Sequence, residues 1–205
     1  MVSLWKLDQP LLLASSSVTR LHLLQSAGVP VESRSPDVDE RALETNLQAR
    51  NMRPDAIALE LAMAKGAQVS RLCPDRLVVA ADQTLSFGQA QLHKPKTLDD
   101  ARAQLRKLSG TTHALHAAVA CFRNGEQVFA HVESARLTMR EFGEVFLDAY
   151  LSGAGDAVTR SVGGYQVEGL GVHLFDRIDG DHSTILGLPI LPLLAYLRRA
   201  GAIEV

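Results

Sequence analysis

"PLLLASSSVTRLHLLQSAG", Pro10 to Gly28, changes period in its middle. The apolar run ending at Ala14 has the length and continuity of a short buried strand. From Val18 onward, Leu21 and Leu24 fall at helical spacing, and Gly28 suits the end of a helix. A strand that turns directly into a helix predicts an α/β domain. The joint carries the hydroxyls Ser15 and Ser17 and the guanidinium of Arg20. A helix start exposes unpaired N–H groups, and hydroxyls with an arginine added there suit an anion, most often a phosphate. The alternative is an ordinary N-cap, in which Ser or Thr satisfies the helix's own donors.

Working outward, Val29 to Leu43 reads as a strand followed by an acidic loop with Asp37, Asp39 and Glu40. "RPDAIALELAMAKGAQVSRL", Arg53 to Leu72, predicts a long helix with Pro54 in its first turn and Ile57, Leu61, Ala64 and Gln68 along one side. "RLVVAAD" predicts a buried strand that ends in Asp82. Lys96 to Gly110 predicts another helix, with Thr97 and Asp100 as a capping box. Asn124-Gly125 between β-rich runs predicts a hairpin. Glu141 to Gly153 reads as an amphipathic helix closed by Gly153. "GGYQVEGLGVHLFDRIDGD", Gly163 to Asp181, reads as strands around a glycine-rich turn, and Gly187 to Ala202 as a C-terminal helix. Alternating strands and helices with a hairpin in the middle predict a mixed sheet with helices on both sides. The expected organisation is one domain over residues 1–205, with a hairpin lobe around 111–140 standing out from the sheet.

Composition narrows the function classes. The chain has 205 residues, 46% of them hydrophobic and 21% charged, which suffices for a packed core. A net charge of −2 argues against nonspecific nucleic-acid binding, which needs a basic excess. Cys73 and Cys121 form neither a CxxC pair nor a disulfide framework, so a reducing, cytoplasmic setting is expected. No apolar run has the length of a membrane span. The chain lacks HExxH, a P-loop, a dinucleotide-binding G-x-G-x-x-G and a G-x-S-x-G elbow.

The remaining signals are charges in unusual settings. Asp82 ends the apolar run Leu77 to Ala81, and the carboxyl ends of strands in α/β sheets face the ligand crevice. A carboxylate there is placed to hold a hydrated cation or to take a proton from water. Lys65 sits among Leu61, Ala62, Ala64 and Gly66, and either snorkels or points into a pocket. Lys94 is held extended by Pro95. Glu40 belongs to an oxygen-rich cluster of the kind that suits Mg²⁺ or Mn²⁺. His113 stands at a strand start. Ser15, Ser17, Arg20, Glu40, Lys65, Asp82 and Lys94 together combine cations for phosphates with acids for a metal, as polyphosphate hydrolysis requires.

Several stretches in order resemble the Maf family of nucleoside triphosphate pyrophosphatases, also called septum formation inhibitor proteins. "LLLASSSVTRLHLLQSAGV", "PDVDE", "LELAMAKGAQV", "VVAADQTL", "HKPKTLDDARAQLRKLSGTTH" and "GGYQVEGLGVHLFDRIDGDHSTILGLPI" are each similar to a family segment. The resemblance implies a mixed α/β fold with a deep cleft, like that of inosine triphosphate pyrophosphatases. It implies cleavage between the α and β phosphates with a divalent cation, Mg²⁺ or Mn²⁺. The catalytic acid would be Asp82, the phosphate-side residues Ser15, Arg20, Lys65 and Lys94, and the metal-side acid Glu40 with Asp82. Val18 and Thr19 depart from the family's usual proline and first arginine. The resemblance also leaves open a homodimer.

Thr19, Gln83 and Glu168 stand at the positions expected to set specificity. The pyrimidine-preferring branch usually has threonine at Gln83 and glutamine at Glu168, whereas the branch acting on 7-methyl-GTP resembles this chain at both. A carboxylate only accepts hydrogen bonds, and guanine offers N1–H and N2–H₂ on one edge. A guanine-type substrate is therefore expected. The alternatives are a nucleotide-binding regulator of cell division, or a pyrophosphatase for dTTP, UTP or other noncanonical triphosphates.

Overall fold

The structure, a computed structural model, describes residues 4–204. The elements run β1 (Leu11–Ala14), α1 (Val18–Ser26), β2 (Val31–Ser33), α2 (Glu40–Ala49), α3 (Pro54–Leu72), β3 (Val78–Phe87) and β4 (Ala90–Leu92). They continue with α4 (Leu98–Leu108), β5 (Thr112–Arg123), β6 (Glu126–Met139), α5 (Glu144–Ala154), α6 (Ala157–Arg160), β7 (Phe175–Asp179), α7 (His182–Ile185) and α8 (Ile190–Arg199).

The seven strands form one mixed sheet in the order β2-β1-β3-β5-β6-β7, with β4 also on β3. β1 is parallel to β2 and β3; the remaining pairs are antiparallel. β3 joins the two halves. Helices cover both faces. Val79 and Ala81 of β3 pack with Leu24 of α1 and Leu193 and Leu197 of α8. Val78 and Ala80 turn the other way, against Val69 of α3. Farther along β3, Leu85 joins a separate core with Leu105 of α4, Leu147 of α5 and Tyr165.

Local sequence accounts for the ends of these elements. Thr97 and Asp100 make the reciprocal capping box that opens α4. Pro54 is the first residue of α3. Asn124 and Gly125 both take positive φ, 54° and 80°, as a two-residue hairpin turn between β5 and β6 requires.

Several expectations are corrected. The acidic stretch is not a plain loop: Asp39 caps α2 by accepting the Ala42 N–H at 2.9 Å, and Glu40 is that helix's first residue. The buried stripe of α3 is Ile57, Ala58, Leu61, Ala62, Lys65, Gly66, Val69 and Ser70, while Ala64 and Gln68 lie half-exposed. The pairs at i and i+1, repeated every four residues, track the sheet. Asp82 does not end β3, because pairing with β5 carries that strand on to Ser86 and pairing with β4 to Phe87. The hairpin of β5 and β6 is not a protruding lobe. β5 sits between β3 and β6 and is apolar on both faces, so it belongs inside the sheet. α5 runs through Gly153 and stops at Gly155, whose φ is +52°. Residues 162–174 form two 3-10 turns, Val162–Gly164 and Leu170–Leu174, and only Phe175–Asp179 is a strand. The glycine spacing there builds tight turns: a Cβ on Gly171 would lie 2.4 Å from the Gln166 carbonyl oxygen. Among the described residues, no helix is long and apolar enough to cross a membrane.

Candidate active site

One edge of β3 is paired by β1 only as far as Ala80, opposite Ala14, and again by β4 only from Leu85. Ala81 to Thr84 therefore face a gap in the sheet. A cleft of about 690 Å³ opens at this gap. Because side chains alternate along a strand, Asp82 and Gln83 leave β3 on opposite faces, and the open edge lets both line the same cleft.

Asp82 is 7% exposed and Lys65 5%. Lys65 Nζ donates to Asp82 Oδ1 at 2.5 Å and pairs with Glu40 Oε2 at 2.8 Å. Three elements meet here: β3 supplies Asp82, α3 supplies Lys65 and the first turn of α2 supplies Glu40. Gly66 sets the approach of α3 to the sheet. A Cβ at Gly66 would lie 2.5 Å from the Phe122 ring and 3.2 Å from the Ala80 Cβ. Thr84 fixes the far end of α3 by donating to the Pro54 carbonyl at 2.8 Å. A buried ammonium paired with a buried carboxylate is strongly held, since removal of Lys65 or Asp82 leaves the other as an uncompensated buried charge.

The β1–α1 joint combines both readings of its serines. Ser17 is the N-cap of α1 and accepts the Arg20 N–H at 3.3 Å; Ser15 Oγ accepts the Ser17 N–H at 3.1 Å. Both line the cleft with Thr19. Arg20 is engaged with the fold. Its Nε donates to the Gly187 carbonyl and its Nη1 to the Ala81 carbonyl, each at 2.8 Å, so it bridges the gap in the sheet. Burial lowers its pKa, against the opposing pull of the Asp82 and Glu40 charges. Among the described residues its Nη2 has no hydrogen-bond partner and remains available to an anion. Gln83 Nε2 donates to the carbonyls of Thr184 and Ile185, both at 3.0 Å, so its amide orientation is set by the fold and its oxygen is the free end.

Lys94 follows β4 and is exposed at the cleft. Gln104 holds the preceding carbonyl, that of His93, at 3.0 Å. Glu168 lies exposed at the cleft, in the segment from Arg160 to Glu168. All ten expected site residues thus line one cleft. His113 does not. It is buried in the antiparallel core, 2.6 Å from the Tyr165 hydroxyl, and burial pushes its pKa down to about 4.

Two lining residues carried no signal in the sequence. Glu44 stands one turn after Glu40, and one of its oxygens accepts from Gln91 Nε2 across the cleft mouth. Its position becomes legible only once α2 is known to be a helix. Arg160 ends the short helix α6.

Residues 10–200 match the Maf family, described as Maf-like protein. The chain belongs to the Maf family. Among curated Maf relatives, a "Nucleoside triphosphate pyrophosphatase" of Rhodopseudomonas palustris (strain BisB18) is 53% identical over 199 residues, 97% of each chain. A "7-methyl-GTP pyrophosphatase" of Rhizobium meliloti (strain 1021) is 47% identical over 194 residues, 95% of this chain and 98% of that one. Among solved structures, a dITP/XTP pyrophosphatase from Mycobacterium abscessus aligns over 95% of this Maf chain and 96% of its own, with 15% identity and a TM-score of 0.39.

Proposed function

We propose that this Maf protein hydrolyses nucleoside triphosphates between the α and β phosphates, giving a nucleoside monophosphate and pyrophosphate, and that its preferred base is of the guanine type, 7-methylguanine included. The observation that carries this reading is the buried Lys65–Asp82 pair, joined by the exposed Glu40, at the open edge of β3, inside a cleft large enough for a nucleotide. The curated relatives named for pyrophosphatase activity, one of them for 7-methyl-GTP, support it.

Asp82 accepts the proton of the attacking water as the water oxygen bonds the α-phosphorus and the bond from that phosphorus to the bridging oxygen breaks. Lys65 aims Asp82 by donating to its Oδ1, which leaves the second oxygen for the water. Lys94, the Arg20 Nη2 group and the N–H groups at the start of α1 receive the polyphosphate.

The donor set also fits a divalent cation. Glu40 and Asp82 converge on one ammonium, and both offer hard oxygen ligands. Among the described residues, no group of three or more His, Cys, Asp or Glu is placed to hold a metal, so substrate phosphates and water would complete the shell, the usual arrangement for Mg²⁺. Glu40 and Asp82 would hold Mg²⁺ or Mn²⁺, which when bound supplies neutralisation of phosphate charge. In the same cleft, Glu168 accepts from guanine N1–H and N2–H₂.

Pyrophosphate release from purified GTP, 7-methyl-GTP, ATP, UTP and dTTP, coupled to inorganic pyrophosphatase, tests the reading. The guanine nucleotides should be cleaved fastest, and Glu168→Gln should shift preference toward UTP and dTTP. No release from any triphosphate would refute the proposed activity. An unchanged profile in Glu168→Gln would refute its role in base recognition.

A further inference from the structure

The cleft has four cations, and they are not equivalent. Lys65 is held by two carboxylates and Arg20 by two carbonyls. Lys94 follows β4 and is exposed at the cleft. Arg160 stands apart, on the segment that carries Glu168. Its side chain is 72% exposed, and its nearest acid is Asp156 at 4.0 Å, itself 92% exposed. An ion pair so loose and so wet is worth little, which leaves the guanidinium free to meet a ligand.

Part of the cleft's apolar lining comes from the core that this segment packs on. Leu115, Tyr165 and Ile185 belong to the antiparallel core, and Val162 and Val167 pack against it. A nucleobase needs such a wall for its faces and polar groups for its edges. Within this segment the apolar residues Val162 and Val167 lie between the polar residues Arg160 and Glu168. The segment's shape is firmly set: Gly163 has φ +84°, and a Cβ there would lie 2.4 Å from the Tyr165 ring.

Resting on the reading above, in which Glu168 meets the N1–N2 edge of guanine, we propose that Arg160 is a specificity-determining residue that donates to guanine O6 and N7. The two edges of the base are distinct, so both residues can engage it at once. O6 and N7 are the acceptor pair that an arginine fork matches. Adenine offers an amino donor in place of O6 and repels the guanidinium. Methylation removes the N7 acceptor and places positive charge there, so 7-methylguanine retains only the O6 contact. The base site therefore distinguishes GTP from 7-methyl-GTP through Arg160, while Glu168 serves both.

The test is kcat and KM of the full-length protein for GTP, 7-methyl-GTP, ATP and UTP, in wild type, Arg160→Gln and Arg160→Lys. Arg160→Gln should lower kcat/KM for GTP roughly tenfold through KM, and for 7-methyl-GTP only about twofold, the size expected for loss of a two-point base contact. Arg160→Lys should restore part of the GTP loss through O6. An equal loss on all four triphosphates would make Arg160 a phosphate contact and overturn the proposal; no loss on any would place it in solvent and overturn it equally. If wild type responds to Glu168→Gln but not to Arg160→Gln, only this inference falls. If wild type cleaves none of the four, the proposed function falls with it.

Discussion

The parallel and antiparallel halves of the sheet bury different things. Where the β1 pairing along β3 stops, the molecule encloses charge: Lys65 and Asp82 are nearly inaccessible and satisfy each other, with Glu40 closing the set. Where β5, β6 and β7 extend beyond the end of β1, it encloses rings and aliphatic chains. The polar pair in that core, His113 and Tyr165, is uncharged. Parallel strands all end on the same side, and the last turns of strand and first turns of helix bring N–H groups and carboxylates together there. The antiparallel half has no such convergence and provides a dry, rigid wall instead. Under the proposed function, chemistry belongs to the first half and base selection to the second.

The sharpest break of that division is Asp82→Asn. Pyrophosphate release should fall by roughly 10²–10⁴, the span of general-base catalysis. The ranking of GTP over UTP should survive, because Asp82 does not touch the base. A reordered ranking would show that the two halves do not act separately.

His113 probes the other half. Burial holds its folded pKa at about 4, below the ordinary value of 6.5. The unfolded chain therefore takes up the proton first as pH falls. Stability is complete above about pH 6.5 and is lost as pH falls toward about 4, by about 3 kcal/mol in all. Urea unfolding of wild type and His113→Leu at about pH 7.5 and about pH 4.5 should show a smaller acid loss in the variant. Equal losses would mean that His113 is not the buried neutral group.

Gly66→Ala tests how closely α3 must approach β3. The new methyl meets Phe122 and Ala80, and overpacking of about 2 kcal/mol should exceed the helix propensity gained. Thermal stability and turnover should fall together, since α3 carries Lys65. Loss of stability with full turnover would free the Lys65–Asp82 contact from that packing. The smallest effect is expected at Thr97, whose capping box opens α4 on the antiparallel side. Thr97→Ala should cost about 1 kcal/mol in chemical unfolding. Turnover that fell with it would tie α4 to the chemistry.

Much of this was legible in local patterns. Leu11–Ala14 followed by a helix, the Thr97 capping box and the Asn124-Gly125 turn are short-range devices, each decided by a few neighbouring residues. The misread regions depend on distant partners. Asp82 looked like a strand end because the apolar run stops there, yet β5 pairs with it and four residues beyond. Gly163 to Leu174 looked like strands because apolar and polar residues alternate, yet the glycines fold it into turns against Tyr165 and Gln166. α2 was invisible because the acidic cluster masked the cap at Asp39.

The sequence alone determined most of the elements, the residue types that suit phosphate and metal, and the ten positions that share a cleft. Tertiary structure decided what each of those side chains is free to do. Arg20 reads as a phosphate ligand in the sequence, but the early end of β1 leaves carbonyls that its guanidinium must satisfy. Arg160 reads as nothing, but the fold sets it on the same cleft as Glu168. Composition and spacing specify which groups are present; only the packed chain specifies which of their hydrogen bonds are already made.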